Sequence, residues 1–316
     1  MVSFPLRFRL ANSQVQTRTL FLERHSSATL ASNPPKMEVS LTHPNPSSSR
    51  SRPRRAPKSA PKAKSDIPRP THFLSFPLGH HPSLCETIRH FHSKILPTGD
   101  TTVIEGLDQS ILVDPRRLHL TIGVMALSST EASPAPSSLI SDSRVRTVSD
   151  AIALLQTLAP DINAISDEAL SLPLDKMGVL KTQRQQAGVL YVGPSDTVTE
   201  EKTKVIRIFD LVAQRFRQEG FILEPSRPAV LHCTLINASH RRPRRMPRAF
   251  SYHEIFQRAL SEGSDPDNPV QLSVQDKSIP VDFGTWAISE IQLCKMGSHG
   301  PENEYVSVAS IPIGSE

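Results

Sequence analysis

Leu118-His119-Leu120-Thr121-Ile122 and Leu231-His232-Cys233-Thr234-Leu235 repeat one pattern: apolar, His, apolar, Thr, apolar. In an extended strand successive side chains point to opposite faces. His119 and Thr121 therefore share one face, and Leu118, Leu120 and Ile122 share the other. His232 and Thr234 stand in the same way against Leu231, Cys233 and Leu235. Two strands that each bury one face and offer a His and a hydroxyl on the other suit a metal-free phosphate site. A single His-x-Thr says little in a chain with 12 His. Two copies inside apolar alternation say far more, because structural context is what confirms a motif. His25-Ser26-Ser27 and His81-Pro82-Ser83 lack that setting.

The chemistry explains the residue types. Displacement at phosphorus needs a proton taken from the attacking hydroxyl and a proton given to the leaving oxygen. Imidazole, with an ordinary pKa of about 6.5, does either near neutral pH. Two histidines, His119 and His232, supply a base and an acid, and the spacing leaves open which is which. Thr121 and Thr234 hydroxyls can donate to the non-bridging oxygens, where charge collects. No His-Glu-x-x-His, no cysteine pair at ligand spacing and no dense carboxylate cluster points to a metal or a cofactor.

Outward from the motifs, the folded part is expected over 71–314. His72–Leu78 reads as a strand closed by Pro77 and Gly79. Leu84, Ile88, Phe91 and Ile95 follow at helical spacing. The first motif strand spans 117–127, and a Pro/Ser-rich loop at 133–138 leads to a helix over 145–158. Strands are expected at Ala169–Leu174, with a continuation at Met177–Leu180, and at Ala187–Val192. A helix covers 200–219, capped by Thr197 with Glu200 and stopped by Gly220, with Val205, Ile208, Val212 and Phe216 inward. The second motif strand at 229–237, a helix at 253–260 and strands at Trp286–Cys294 and Tyr305–Pro312 complete the order. Each half sets a helix beside a His-x-Thr strand. The expected fold is α+β, bilobal and pseudo-symmetric, with one motif strand from each lobe around a central cleft.

The composition divides the chain. Residues 1–70 carry 13 Lys+Arg against 3 Asp+Glu, a net of +10; the remainder holds 23 against 28, a net of −5. The overall +5 is thus a property of the first segment. Pro44–Arg69 offers almost nothing to bury and reads as a disordered basic Pro/Ser-rich tail. Arg50–Lys64 suits nuclear import or nucleic-acid contact, with plain solvation as the alternative. Met1–Leu30, rich in Arg and Ser with one acidic residue, resembles a mitochondrial presequence, but Pro5 opposes the helix such a signal needs. An upstream extension before Met37 is the other reading, and nucleus or cytoplasm ranks above mitochondrion. No apolar run approaches the ~18 residues of a membrane span. Three cysteines without a spacing pattern fit a reducing compartment, and Cys233 falls on the buried face.

Past the second motif, Arg241, Arg242, Arg244 and Arg245, with Arg248 beyond, can hold RNA phosphates near the cleft, or form a solvated loop. Phe73 and Phe76 are expected in the core rather than stacked on a base. Ser298 and His299 fall in a loop that can border the pocket.

Taken together, the paired motifs resemble the 2H (two-histidine) phosphoesterase superfamily. Thr71-His72-Phe73-Leu74-Ser75-Phe76-Pro77-Leu78 and Leu118–Met125 resemble its A-kinase anchor protein 7-like domain. Leu231–Asn237, Phe283–Trp286 and Met296–His299 are most similar to the branch that includes activating signal cointegrator 1 complex subunit 1, without that branch's KH module. The resemblance implies a phosphodiesterase acting on 2′,5′-linked or 2′,3′-cyclic phosphates of RNA or oligonucleotides, with no cofactor. RNA or a nucleotide would occupy the cleft of a monomer away from any membrane. The branch implies a second reading: a non-catalytic RNA- or nucleotide-binding adaptor in a nuclear cointegrator-type complex linked to transcription or DNA repair.

Overall fold

In the computed structural model the described residues are 68–97, 103–128, 146–224, 230–243, 247–260, 272–273 and 275–314. The 1–67 segment, the 133–138 loop, Arg244 and Arg245 lie outside them. The described chain opens with β1 (His72–Pro77), α1 (Pro82–Ile95) and β2 (His119–Met125). Next come α2 (Val148–Thr157), α3 (Ala159–Asn163), β3 (Leu170–Pro173), β4 (Lys176–Leu180), β5 (Gln186–Ala187) and β6 (Val189–Gly193). α4 (Glu200–Gln218) precedes β7 (Cys233–Asn237), β8 (Phe250–Ser251) and α5 (Tyr252–Leu260). β9 (Ser278–Pro280), β10 (Thr285–Ile288), β11 (Glu290–Lys295) and β12 (Ser307–Pro312) close the order.

Eight strands form one sheet in the order β12-β11-β1-β2-β7-β6-β4-β9. Each half places strand, helix and motif strand in succession: β1-α1-β2 on one side and β6-α4-β7 on the other. Within each half the motif strand pairs antiparallel with the strand before its helix. The pseudo-symmetry expected from the sequence is therefore present. The two halves do not stand apart, however. They join edge to edge through β2 and β7, so the motif strands are neighbours at the middle of one sheet.

The helical rows are buried as their spacing requires. Leu84, Ile88, Phe91 and Ile95 of α1 and Val205, Ile208, Val212 and Phe216 of α4 all lie in the core. Each such side chain contributes about 1.5–3 kcal/mol over leaving it in water. The α4 cap is Thr199, not Thr197: its hydroxyl accepts the Lys202 N–H at 3.2 Å, because the helix begins at Glu200 and a cap must sit immediately before the first helical residue. Gly220, at φ +71°, ends the helix as expected. Two long strands of the sequence reading are each divided. Leu170–Pro173 pairs with β10 in a separate two-stranded sheet, whereas Lys176–Leu180 belongs to the main sheet. The stretch from Trp286 to Cys294 breaks at Ser289 into β10 and β11, which serve those same two sheets.

Candidate active site

Leu120 of β2 lies opposite Cys233 of β7 in antiparallel register. One residue outward on each side, that register sets His119 opposite Thr234 and Thr121 opposite His232. All four share the open face, since the alternate residues Leu118, Leu120, Ile122, Leu231, Cys233 and Leu235 are buried. Each histidine thus faces the other motif's threonine, and the two histidines are diagonal neighbours. Diagonal partners in an antiparallel pair stand about 7–8 Å apart.

Both rings are oriented by the same device. His119 Nδ1 lies 2.7 Å from the Arg117 carbonyl oxygen, and His232 Nδ1 lies 2.8 Å from the Val230 carbonyl oxygen. A carbonyl only accepts, so Nδ1 carries the hydrogen in each ring and Nε2 is left to take or give a proton. Burial pushes the His119 pKa down to about 4. The hydrogen bond to the Arg117 carbonyl opposes this, while the charges of His232 and Arg117 add to it. Cys233, enclosed between the strands, has its thiol pushed up to about 12 by burial and serves as a small core residue.

An aromatic ring stands edge-on to each histidine. Tyr305 meets His119 at 5.4 Å between centroids, and Tyr191 meets His232 at 5.8 Å. Phe73 packs against both His119 and Tyr305, at 4.9 and 4.8 Å, and is 3% exposed. Phe76 is a core residue as expected, whereas Phe73, though buried, packs on the site side against His119. Gly178 makes room for Tyr191, since a Cβ there would sit 2.5 Å from the phenol oxygen. A cavity of about 220 Å³ adjoins His119, with Ser75, His80, Gln292 and Tyr305 in its walls. Another of about 270 Å³ lies beyond Tyr191, next to Lys176, Lys202 and Val230. Arg117, Tyr191 and Tyr305 escape sequence reading because they reach the histidines only through the fold. The one local signal is that Arg117 sits two residues before His119, as Val230 does before His232.

The arginines behave differently from one another. Arg241 turns inward: its guanidinium pairs with Asp108 and donates to the Gly106 carbonyl, leaving the side chain 11% exposed. It fastens the chain after β7 and offers no free face to a nucleic acid. Arg242 is exposed, with its N–H donating to Ser110 Oγ at 3.1 Å. Its charge and that of Arg117 help lower the pKa of His240, after burial, so the rim beyond Asn237 is positive. Ser298 and His299 lie against Arg117. Among the described residues no group of three or more His, Cys, Asp or Glu could hold a metal ion, and no helix is long and apolar enough to cross a membrane.

The family described as the AKAP7 2′5′ RNA ligase-like domain matches residues 70–313. Among solved structures, Escherichia coli LigT complexed with NADP+ is similar at 15% identity and TM-score 0.43, over 79% of this chain and 100% of that one. LigT complexed with 3′-AMP is similar at 15% identity and TM-score 0.42, over 78% and 99%. A Thermus thermophilus protein is similar at 14% identity and TM-score 0.41, over 78% and 100%.

Proposed function

Because the chain belongs to the AKAP7 2′5′ RNA ligase-like domain family, of the 2H phosphoesterase type, we propose that it is a metal-independent phosphodiesterase acting on RNA or oligonucleotide phosphodiesters of the 2′,5′-linked or 2′,3′-cyclic type. The observation that carries the reading is the β2/β7 register, which turns two His-x-Thr motifs into one four-residue face. His119, neutral down to about pH 4, acts as the base. Its Nε2 takes the proton of the attacking hydroxyl as the new P–O bond forms. His232 gives a proton from Nε2 to the leaving oxygen as the old P–O bond breaks. Thr121 and Thr234 donate to the non-bridging oxygens, where charge builds. With water as the attacking hydroxyl, one P–O bond forms as one breaks, one proton is taken as one is given, and proton exchange with solvent returns both rings to their starting states.

The test uses the full chain in EDTA with 2′,5′-oligoadenylate and 2′,3′-cyclic nucleotides. Cleavage that His119→Ala and His232→Ala each abolish supports the reading. Binding without cleavage of either substrate favours the second one, an RNA- or nucleotide-holding adaptor of a nuclear cointegrator-type complex. That alternative draws on exposed Arg242 at the rim and on the net +10 of residues 1–70.

A further inference from the structure

His119 and His232 share a tautomer-fixing carbonyl two residues upstream, but the residues that supply it differ. Val230 is apolar and 53% exposed. Arg117 reaches across 181 residues of sequence: its Nη1 donates to the Ser298 carbonyl at 2.8 Å and to the Asn303 carbonyl at 2.9 Å. Its guanidinium carbon lies 3.7 Å from the centre of the Tyr305 ring. The same turn anchors the 298–305 loop twice more, through Arg116 with Glu302 and through Asp114 Oδ2, which accepts Asn303 Nδ2–H at 2.7 Å. Asn303 turns the loop at φ +70°, a left-handed conformation that asparagine tolerates better than most residues.

We propose that Arg117 is the positioning residue of His119: its carbonyl fixes the imidazole tautomer while its guanidinium clamps the 298–305 loop and seats Tyr305 edge-on against the ring. This rests on the reading of His119 as the catalytic base. A planar guanidinium is what the place requires, because it lies flat on an aromatic ring and still donates in its own plane. The clamp keeps water from one side of His119 and holds a positive charge beside it. Both effects favour the neutral ring that a base needs. The other titratable group beside the His119 ring is His232, in the extended segment just before β7. Across the adjoining cavity stand His80, Glu304 and the Arg116–Glu302 pair, whose charges offset one another.

The test is an NMR titration of the His119 ring nitrogens in the full chain without substrate, alongside the pH profile of kcat/KM. The variants are Arg117→Ala, Arg117→Lys and Tyr305→Ala. In the unsubstituted protein the ring is expected to titrate near about 4. Arg117→Ala and Tyr305→Ala are expected to move it toward the ordinary 6.5, and the acid limb of kcat/KM with it. Arg117→Lys is expected to fall between, since the charge stays but an ammonium has no planar face to lay on the Tyr305 ring. The Arg117→Ala, Tyr305→Ala double variant is expected to shift no further than the larger single. An unchanged titration in Arg117→Ala, with only a lower melting temperature, would overturn the proposal. So would an Arg117→Lys protein that titrates like the unsubstituted one, because charge alone would then explain the effect; this variant also decides the matter if Arg117→Ala does not fold. A protein that titrates as expected but cleaves nothing counts against the phosphodiesterase reading alone.

Discussion

His119, held near about 4 by burial, stays unprotonated into acidic solution. For cleavage of a phosphodiester, kcat/KM is therefore expected to hold level well below the ordinary histidine value and to fall only as pH approaches 4, which a pH–rate profile reads directly. The threonines carry a separate expectation. Thr121→Val and Thr234→Val keep the shape and lose the hydroxyl, and each is expected to lower kcat by about 10²–10³-fold with less change in KM, because the donor matters most where charge develops. These four side chains were legible in the sequence because strand alternation is a local property. His-x-Thr between apolar neighbours declares its face without knowledge of its partner. Tyr191, Tyr305 and Arg117 declared nothing, since each meets a histidine only after distant strands or loops are placed. Arg241 shows the converse: a basic run looks like an open surface until Asp108 arrives from more than a hundred residues away to claim one of its members.

At the level of strands and helices, the site depends on how closely β6 and the lead-in to β7 approach. A Cβ on Gly193 would lie 2.4 Å from the Leu231 carbonyl oxygen, so Gly193→Ala must push residues 231–232 outward. The expected result is a loss of roughly 1–3 kcal/mol in denaturant unfolding. Activity should fall as well, since His232 moves with that segment. The helices α1 and α4 could be read from spacing because an amphipathic row records its own buried side. The break at Ser289, and the separate sheets taken by the stretches on either side of Asp175, could not. An apolar run is compatible with one long strand or two short ones, and the choice is made by distant partners: Leu174 N–H donates to the Gly284 carbonyl and Ile313 N–H to the Ser289 carbonyl. For the same reason each motif could be assigned with its helix to its own half, whereas the β2–β7 pairing that sets the two strands side by side could not be read.

For the molecule as a whole, two imidazoles held neutral by desolvation, His119 and His92, tie stability to pH. His92 of α1 is also pushed down to about 4 by burial, against an opposing hydrogen bond to the Leu235 backbone on the motif strand. The unfolded chain takes up these protons near pH 6.5 and the folded one only near 4, so the unfolded state binds more protons throughout that window and stability falls as pH drops from 6.5 toward 4. His92→Leu is expected to flatten this decline in melting temperature. The Leu235 carbonyl would keep its bond from the Val113 N–H at 2.8 Å. The central claim is that His119 and His232 act on one phosphate from adjacent strands, and a double-mutant cycle in kcat/KM, run in EDTA, tests it most directly. His119→Ala and His232→Ala are each expected to lose about 10²–10⁴-fold, and the double variant is expected to be little worse than the more damaged single, because the two work as a unit. A double variant that retains ordinary activity, or whose losses simply multiply, would contradict the account.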